Sequence, residues 1–202
     1  MKSVRPVFLL LTALVLAACA STTIRSAWYD TTFKGGPMKR IVVVGVGGQV
    51  ADRRVFEDIF AEQLRAAGID GIPGYTVAPD ETRMDDAAFA AAVERTGADG
   101  VLIVRLLGVD TRTQVSTAMV PGPAMWGPYG GFYGPVWFPA TQVNQYEIAR
   151  VESSLYETKT RRMVWAATTD TFNPSTVARE TPRFAGLIIE QLRARGLIAG
   201  PK

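Results

Sequence analysis

The chain of 202 residues contains no histidine and a single cysteine, Cys19. Without histidine the commonest general base, the commonest zinc ligand and the Ser-His-Asp triad are all missing. With one thiol, and that one near the N-terminus, an internal disulfide or a cysteine-based metal site is excluded. Charge is missing from one long stretch: no Asp, Glu, Lys or Arg occurs between Arg112 and Glu147. No catalytic constellation stands out, so the expectation is a protein that is not an enzyme, with no catalytic residue, no metal and no cofactor beyond a covalent lipid.

What is present begins with an address. Lys2 and Arg5 precede an apolar run, Val7 to Leu16, that ends Leu16-Ala17-Ala18-Cys19. This is the layout of a secretory signal, too short for a transmembrane helix. Its end resembles the lipobox of bacterial lipoproteins. The resemblance implies cleavage before Cys19, a diacylglycerol on its thiol and a further acyl chain (a palmitate-type modification) on the new amine. Ala20 follows where an aspartate would signal retention at the inner membrane, which by the same resemblance implies an outer-membrane protein anchored on the periplasmic face. Several acyl chains suffice for stable anchoring, where one is marginal. The expected organisation is a signal peptide over 1–18, a lipidated tether over 19–38 and one α/β domain over 39–202.

Cleavage removes Lys2 and Arg5 and leaves 20 basic against 19 acidic residues, so the sequence pI of 9.2 does not indicate a nucleic-acid partner. Along the domain, Arg40 to Val46 reads as a buried strand, and the run from Asp52 has helical spacing closed by Gly68. In that helix Val55, Phe56, Ile59, Phe60 and Leu64 are expected inward, with Arg53, Arg54, Glu57, Asp58 and Glu62 outward. A short strand is expected near Tyr75 to Ala78. A helix should follow from about Asp85 to Gly97, with Phe89 and Val93 inward. Further strands are expected from Gly100 to Val109 continuing through Thr117, from Val143 to Glu157, and from Met163 to Thr171, the last two joined by a turn over Thr158 to Arg162. A final helix is expected with Thr181 as N-cap, Pro182 at its first position and Gly196 at its end. The order β-α-β-α-β-β-β-α predicts a mixed sheet of about five strands, the first three parallel and the last three antiparallel, with helices packed on it.

That order, on a lipoprotein, resembles a group of bacterial envelope proteins: the N-terminal domain of the Tol-system propeller protein, the lipoprotein activators of penicillin-binding proteins and the curli-secretion lipoprotein. The segments KRIVVVGV, DRRVFEDIFAEQLRAAG, TGADGVLIVRLLGV and SLYETKTRRMVWAATTDT are similar to a family of uncharacterised proteobacterial outer-membrane lipoproteins. The resemblance covers roughly residues 39 to 198 and carries over no functional residue.

Several patterns invite chemistry. Gly47 and Gly48 follow Gly45 between a strand and a helix, but a dinucleotide fingerprint needs glycine where Val50 stands, and a tight strand-to-helix turn explains the pair. Asp80, Glu81, Asp85 and Asp86 lack the bent, converging loop of a calcium site and suit a helix N-terminus. Glu147, Glu152 and Asp170 on the later strands are the carboxylates a glycan or peptide hydrolase would use if two of them faced a cleft. Arg161 with Arg162, and Lys39 with Arg40, read as solvated strand ends. Arg105 interrupts an apolar strand. It is expected either in a structural ion pair with Glu152 or on a strand face that is partly solvated.

The strongest oddity is a Gly/Pro/aromatic loop over 118–141. Val120 to Ala140 holds five glycines, five prolines and six aromatics: Trp126, Tyr129, Phe132, Tyr133, Trp137 and Phe138. Pro121, Pro123, Pro128, Pro135 and Pro139 argue against a membrane-crossing hairpin, because proline interrupts strand pairing. Three uses remain: a cover over the domain's own surface, a contact for another envelope protein, or a headgroup-level membrane contact. The expected function is therefore a lipid-anchored outer-membrane protein that binds or helps assemble envelope components through this loop. The alternatives are a cell-wall hydrolase and a subunit of a homo-oligomeric envelope assembly.

Overall fold

A computed structural model of the chain describes residues 22–78, 85–121 and 137–200. Cys19, Trp126, Tyr129, Phe132 and Tyr133 lie outside the described residues, as do Asp80 and Glu81; Trp137 and Phe138 are described by their backbone alone. Ten elements follow in order: β1 Thr22–Tyr29, β2 Arg40–Val46, α1 Val50–Ala66, β3 Asp70–Pro73, α2 Gly74–Val77, α3 Asp86–Arg95, β4 Gly100–Pro121, β5 Trp137–Glu157, β6 Met163–Phe172 and α4 Val177–Ala194. They form one six-stranded mixed sheet, ordered β1-β6-β5-β4-β2-β3, with four helices. The β3-β2-β4 half is parallel and the β4-β5-β6-β1 half antiparallel, as the order of elements predicted.

The sixth strand is a correction. Residues 20–37 read as a tether, yet Thr22 to Tyr29 pair with Thr171 to Trp165 of β6. The strand is held by ladder bonds at the sheet edge and buries few side chains, so apolar periodicity gives no sign of it. Asp30 secures its exit: its carboxylate accepts from the Thr32 N–H and hydroxyl at 2.9 and 2.8 Å and pairs with Arg162.

Each face of the parallel half is covered. Ile41, Val43, Leu102 and Val104 pack under α1 and α4, where Phe56, Phe60 and Phe184 meet with ring centroids 5.6 to 6.1 Å apart. Val42, Val44 and Val101 face the other way, against Val93 and Phe89 of α3. Gly68, Gly97 and Gly196 close their helices with φ of +85°, +66° and +68°, the left-handed backbone that favours glycine. Gly47 and Gly48, at +94° and +78°, make the tight turn from β2 into α1.

Three local expectations shift. The strand expected at Tyr75 to Ala78 is instead β3, five residues earlier, and Gly74–Val77 is a helical turn. The final helix begins upstream of Thr181, with Thr176 at the N-cap position and Pro182 inside it; Glu180 in its first turn accepts from the Ser175 N–H and hydroxyl at 3.1 and 2.6 Å, and the Thr181 hydroxyl donates to the Val177 carbonyl at 2.6 Å. In α1 the inward face is rotated: Glu57 is fully buried and Val55 exposed, the reverse of the expectation. Glu57 accepts from the Gly45 N–H at 2.9 Å and the Tyr75 N–H at 2.6 Å, and Arg53 stands 3.8 Å away. A buried carboxylate so bonded is tolerated where a bare one is not.

Glu57→Ala orphans one buried and one part-buried backbone donor and is expected to destabilise the domain by about 3 kcal/mol, with Glu57→Gln costing less, read by urea denaturation. For Asp30, the hydrogen bond from the Thr32 side chain, then that from the Thr32 N–H, holds the carboxyl below its ordinary value against the opposing effect of burial, with Arg162 adding. A lowered folded pKa gives stability that is present above the unfolded pKa and lost as pH falls through the folded one. Asp30→Asn is therefore expected to be less stable than the parent at pH 7 and equal to it well below the carboxylate range, in paired urea titrations.

Candidate functional site

The antiparallel half outruns its cover. β4 is flanked by β2 only as far as Arg105, opposite Val46, and β5 by β6 only from Ile148 onward. Beyond those points the two strands continue as a two-stranded arm, in register from Val109↔Ala149 to Pro121↔Trp137. At the usual rise this is about 40 Å of ribbon. A bulge at Leu107 and a stack of Tyr146 on Phe172, centroids 4.7 Å apart, mark where it leaves the sheet. The expected loop over 118–141 is thus shortened at both ends, and Pro121 and Pro139 lie within strands. Both strands are edges here, and edge strands accept proline.

Alternation sorts the arm's side chains onto two faces. The face continuous with the α1/α4 side of the sheet carries Val109, Thr111, Thr113, Val115, Thr117 and Met119 from β4, and Thr141, Val143, Gln145 and Glu147 from β5. Val115, Met119 and Val143 are 64%, 58% and 59% exposed, so this apolar stripe faces solvent. The opposite face carries Asp110, Arg112, Gln114 and Ser116, with Gln142, Asn144 and Tyr146 across from them.

Where the stripe meets the body, a cavity of about 370 Å³ opens between the arm base and the N-terminal ends of α1 and α4. Phe56, Val104, Leu106, Val109 and Phe184 are among its apolar lining, and Asp52, Arg53, Glu147 and Glu180 its charged members. Such a mainly apolar recess with a few charged groups is of ligand-pocket size. No group of three or more acidic or thiol side chains suited to a metal is found among the described residues.

Arg105 stands across from Glu152 in the β4–β5 register, but it is exposed, and among the described residues no ion pair joins the two. The solvated strand face is the alternative the structure realises, because helix cover has ended by that point. The ion pairs of that face lie further along: Arg150 bridges Asp110 at 3.5 Å and Asp170 at 3.2 Å, and Asp170 also holds Arg25 at 3.2 Å. Asp170 is thus engaged by two arginines on the same face as Glu152, and neither carboxylate lines the cavity. Glu147 does. The described part of the acidic cluster is helix-start chemistry: Asp85 caps α3 by accepting from the Ala88 N–H at 2.7 Å, and Asp86 follows in its first turn.

Sequence reasoning missed the exposed stripe of Val109, Val115, Met119 and Val143. Its signal is the period-two alternation inside the uncharged span, which the glycines and prolines nearby obscured.

No family model matches the sequence, and no curated protein matches it. Solved structures do. The PelC dodecamer from Paraburkholderia phytofirmans aligns at 16% identity over 89% of this chain and 99% of that one, with a TM-score of 0.44. A single-site variant of the same dodecamer gives 15%, 88%, 100% and 0.46. Lipoprotein GNA1162 from Neisseria meningitidis aligns at 14% identity over 77% of this chain and 98% of that one, with a TM-score of 0.41.

Because Arg105 is solvated, Arg105→Leu is expected to change stability by no more than about 0.5 kcal/mol, the range of ordinary surface substitutions, in urea denaturation.

Proposed function

We propose that this chain is a non-enzymatic, lipid-anchored outer-membrane protein that binds or helps assemble cell-envelope components through the β4–β5 arm. The observation that carries this reading is the arm itself, a ribbon that contributes little to the body's core and exposes an apolar stripe to solvent. Exposed apolar surface on a folded chain marks a contact site more often than an accident. Leu16-Ala17-Ala18-Cys19 supplies the anchor and Ala20 the outer-membrane sorting signal.

The register supports the same reading. Thr22 lies opposite Thr171, Thr171 opposite Ala149, and Ala149 opposite Val109. The start of β1 and the base of the arm are therefore at one end of the sheet. Cys19 precedes Thr22 by three residues, a reach of roughly 10 Å. An acyl anchor at Cys19 brings the membrane to the end from which the arm projects.

Photo-crosslinking from a benzophenone amino acid at Val143, in cells producing the full chain, tests the reading. A discrete adduct of higher mass is expected. Only internal crosslinks would end the docking reading.

A further inference from the structure

We propose that the cavity at the base of the arm is a binding site for a small hydrophobic amine, an organic cation with a compact apolar body. The site is separate from the arm's exposed stripe, and its case does not depend on what the arm docks.

The walls set the body of the ligand. Val104, Leu106, Ala149 and Val151 supply the floor from the sheet, and Phe56 and Phe184 stand over it from α1 and α4 with ring centroids 6.1 Å apart. Leu106 is 43% exposed and Val104 only 5%, so the recess runs from solvent into the core. The space exists because the two long strands leave the sheet here while both helices begin here. Gly47 and Gly48 carry the β2–α1 turn past the opening without side chains. A volume of about 370 Å³ is at the small end of ligand pockets. It admits a ring on a short chain and is too small for a run of sugars. A glycan would also leave hydroxyls without partners along these walls.

The charges set the head. Asp52, Glu147 and Glu180 are three carboxylates, and Arg53 is the one cation among the described lining residues. Arg53 stands 3.8 Å from the buried Glu57, so its charge is already answered. Glu180 takes the Ser175 N–H and hydroxyl on one oxygen, and those neutral donors leave its charge uncancelled. Among the described residues no ion pair joins Asp52 or Glu147 to a cation. Asp52 and Glu180 lie in the first turns of α1 and α4. Each helix end carries about half a positive charge, which offsets the carboxylates in part and leaves the mouth negative.

Glu147 has no such offset, because it lies on a strand with no helix end behind it. Its backbone is clamped: the N–H donates to the Asn173 side-chain oxygen at 3.0 Å, and the carbonyl accepts from the Asn173 N–H at 2.8 Å. Asn173 makes both bonds from a left-handed backbone, with φ +46°. The strand is thereby held with Glu147 at the mouth. An apolar recess that ends in carboxylates suits an ammonium group on an apolar body. A carboxylate ligand of the same shape meets like charge there, and a phospholipid brings a phosphate beside its amine.

The test titrates the full chain, held in phosphatidylcholine nanodiscs, with phenylbutylamine, phenylbutanol and phenylbutanoate by isothermal calorimetry at neutral pH, with empty nanodiscs subtracted. The amine should bind about tenfold or more tighter than the carboxylate, with the alcohol between them. Glu147→Gln, at an exposed position, should weaken the amine about fivefold and leave the alcohol unchanged. Leu106→Trp, on the exposed part of the floor, fills the recess and should remove binding of the amine and the alcohol together. Absence of saturable heat with the amine, equal affinity for amine and carboxylate, or a Glu147→Gln chain that binds the amine as the parent does each overturns the site. The crosslink from Val143 reads the stripe alone, so the docking reading and this one fail separately.

Discussion

The Glu57 carboxylate stands where a helix, a strand and a turn meet, and it bonds to all three. One oxygen takes the N–H of Gly45 near the end of β2, the other the N–H of Tyr75 just past β3, and Arg53 lies one turn back on the same helix. A carboxylate suits the position because it offers two acceptors in a fixed fork. Gly45 lets the helix come close: a Cβ there would sit 3.2 Å from both the Arg53 Cγ and the Phe56 Cδ1. The β2-α1-β3 crossover is thereby locked at the end of the parallel sheet that borders the cavity. With that corner fixed, Phe56 is placed against Phe184, α4 against α1, and the sheet beneath both.

From this corner outward the molecule divides its work. The parallel half is sandwiched between helices and carries the core. The antiparallel half begins inside that core and ends outside it, since β4 and β5 are each more than twenty residues long while their neighbours are ten or fewer. The same two strands thus change environment along their length, from fully buried at Leu102 and Leu155 to solvent-facing at Val115 and Val143. The bulge at Leu107 falls close to that change and keeps the inward face of the body continuous with the apolar face of the arm.

How much of this was legible in the sequence depends on which force shapes each part. Helix ends at Gly68, Gly97 and Gly196, the β-branched run of β2 and the parallel-then-antiparallel order follow from local chemistry and were readable. Glu57 was not. Pattern reading sends charge outward, and the two donors that make its burial tolerable come from residues 12 positions before and 18 after it. Strand β1 was hidden for a different reason: its stability comes from backbone pairing with β6, to which its side chains add little. The apolar neighbours of Arg105 left a buried ion pair and a solvated face equally open, yet Leu107 and Val109 are themselves about half exposed. Apolar neighbours imply burial only where something lies over them. The arm was visible as an uncharged span, but prolines read as breakers, since a sequence does not disclose which strands are edges.

The pairing of β1 also decides how the domain meets mechanical force. A pull delivered through the residues ahead of Thr22 runs along the axis of β1, and β1 lies antiparallel against β6 from Thr22 to Tyr29. The ladder is therefore loaded in shear. Its bonds share the load and yield together, where the same bonds pulled from one end across the strand would open singly, like a zipper. The Asp30 and Arg162 pair closes the far end of that ladder. A drag on the tether would be resisted as a unit before it reached the core, and resistance of that kind is a matter of unfolding rate more than of equilibrium stability.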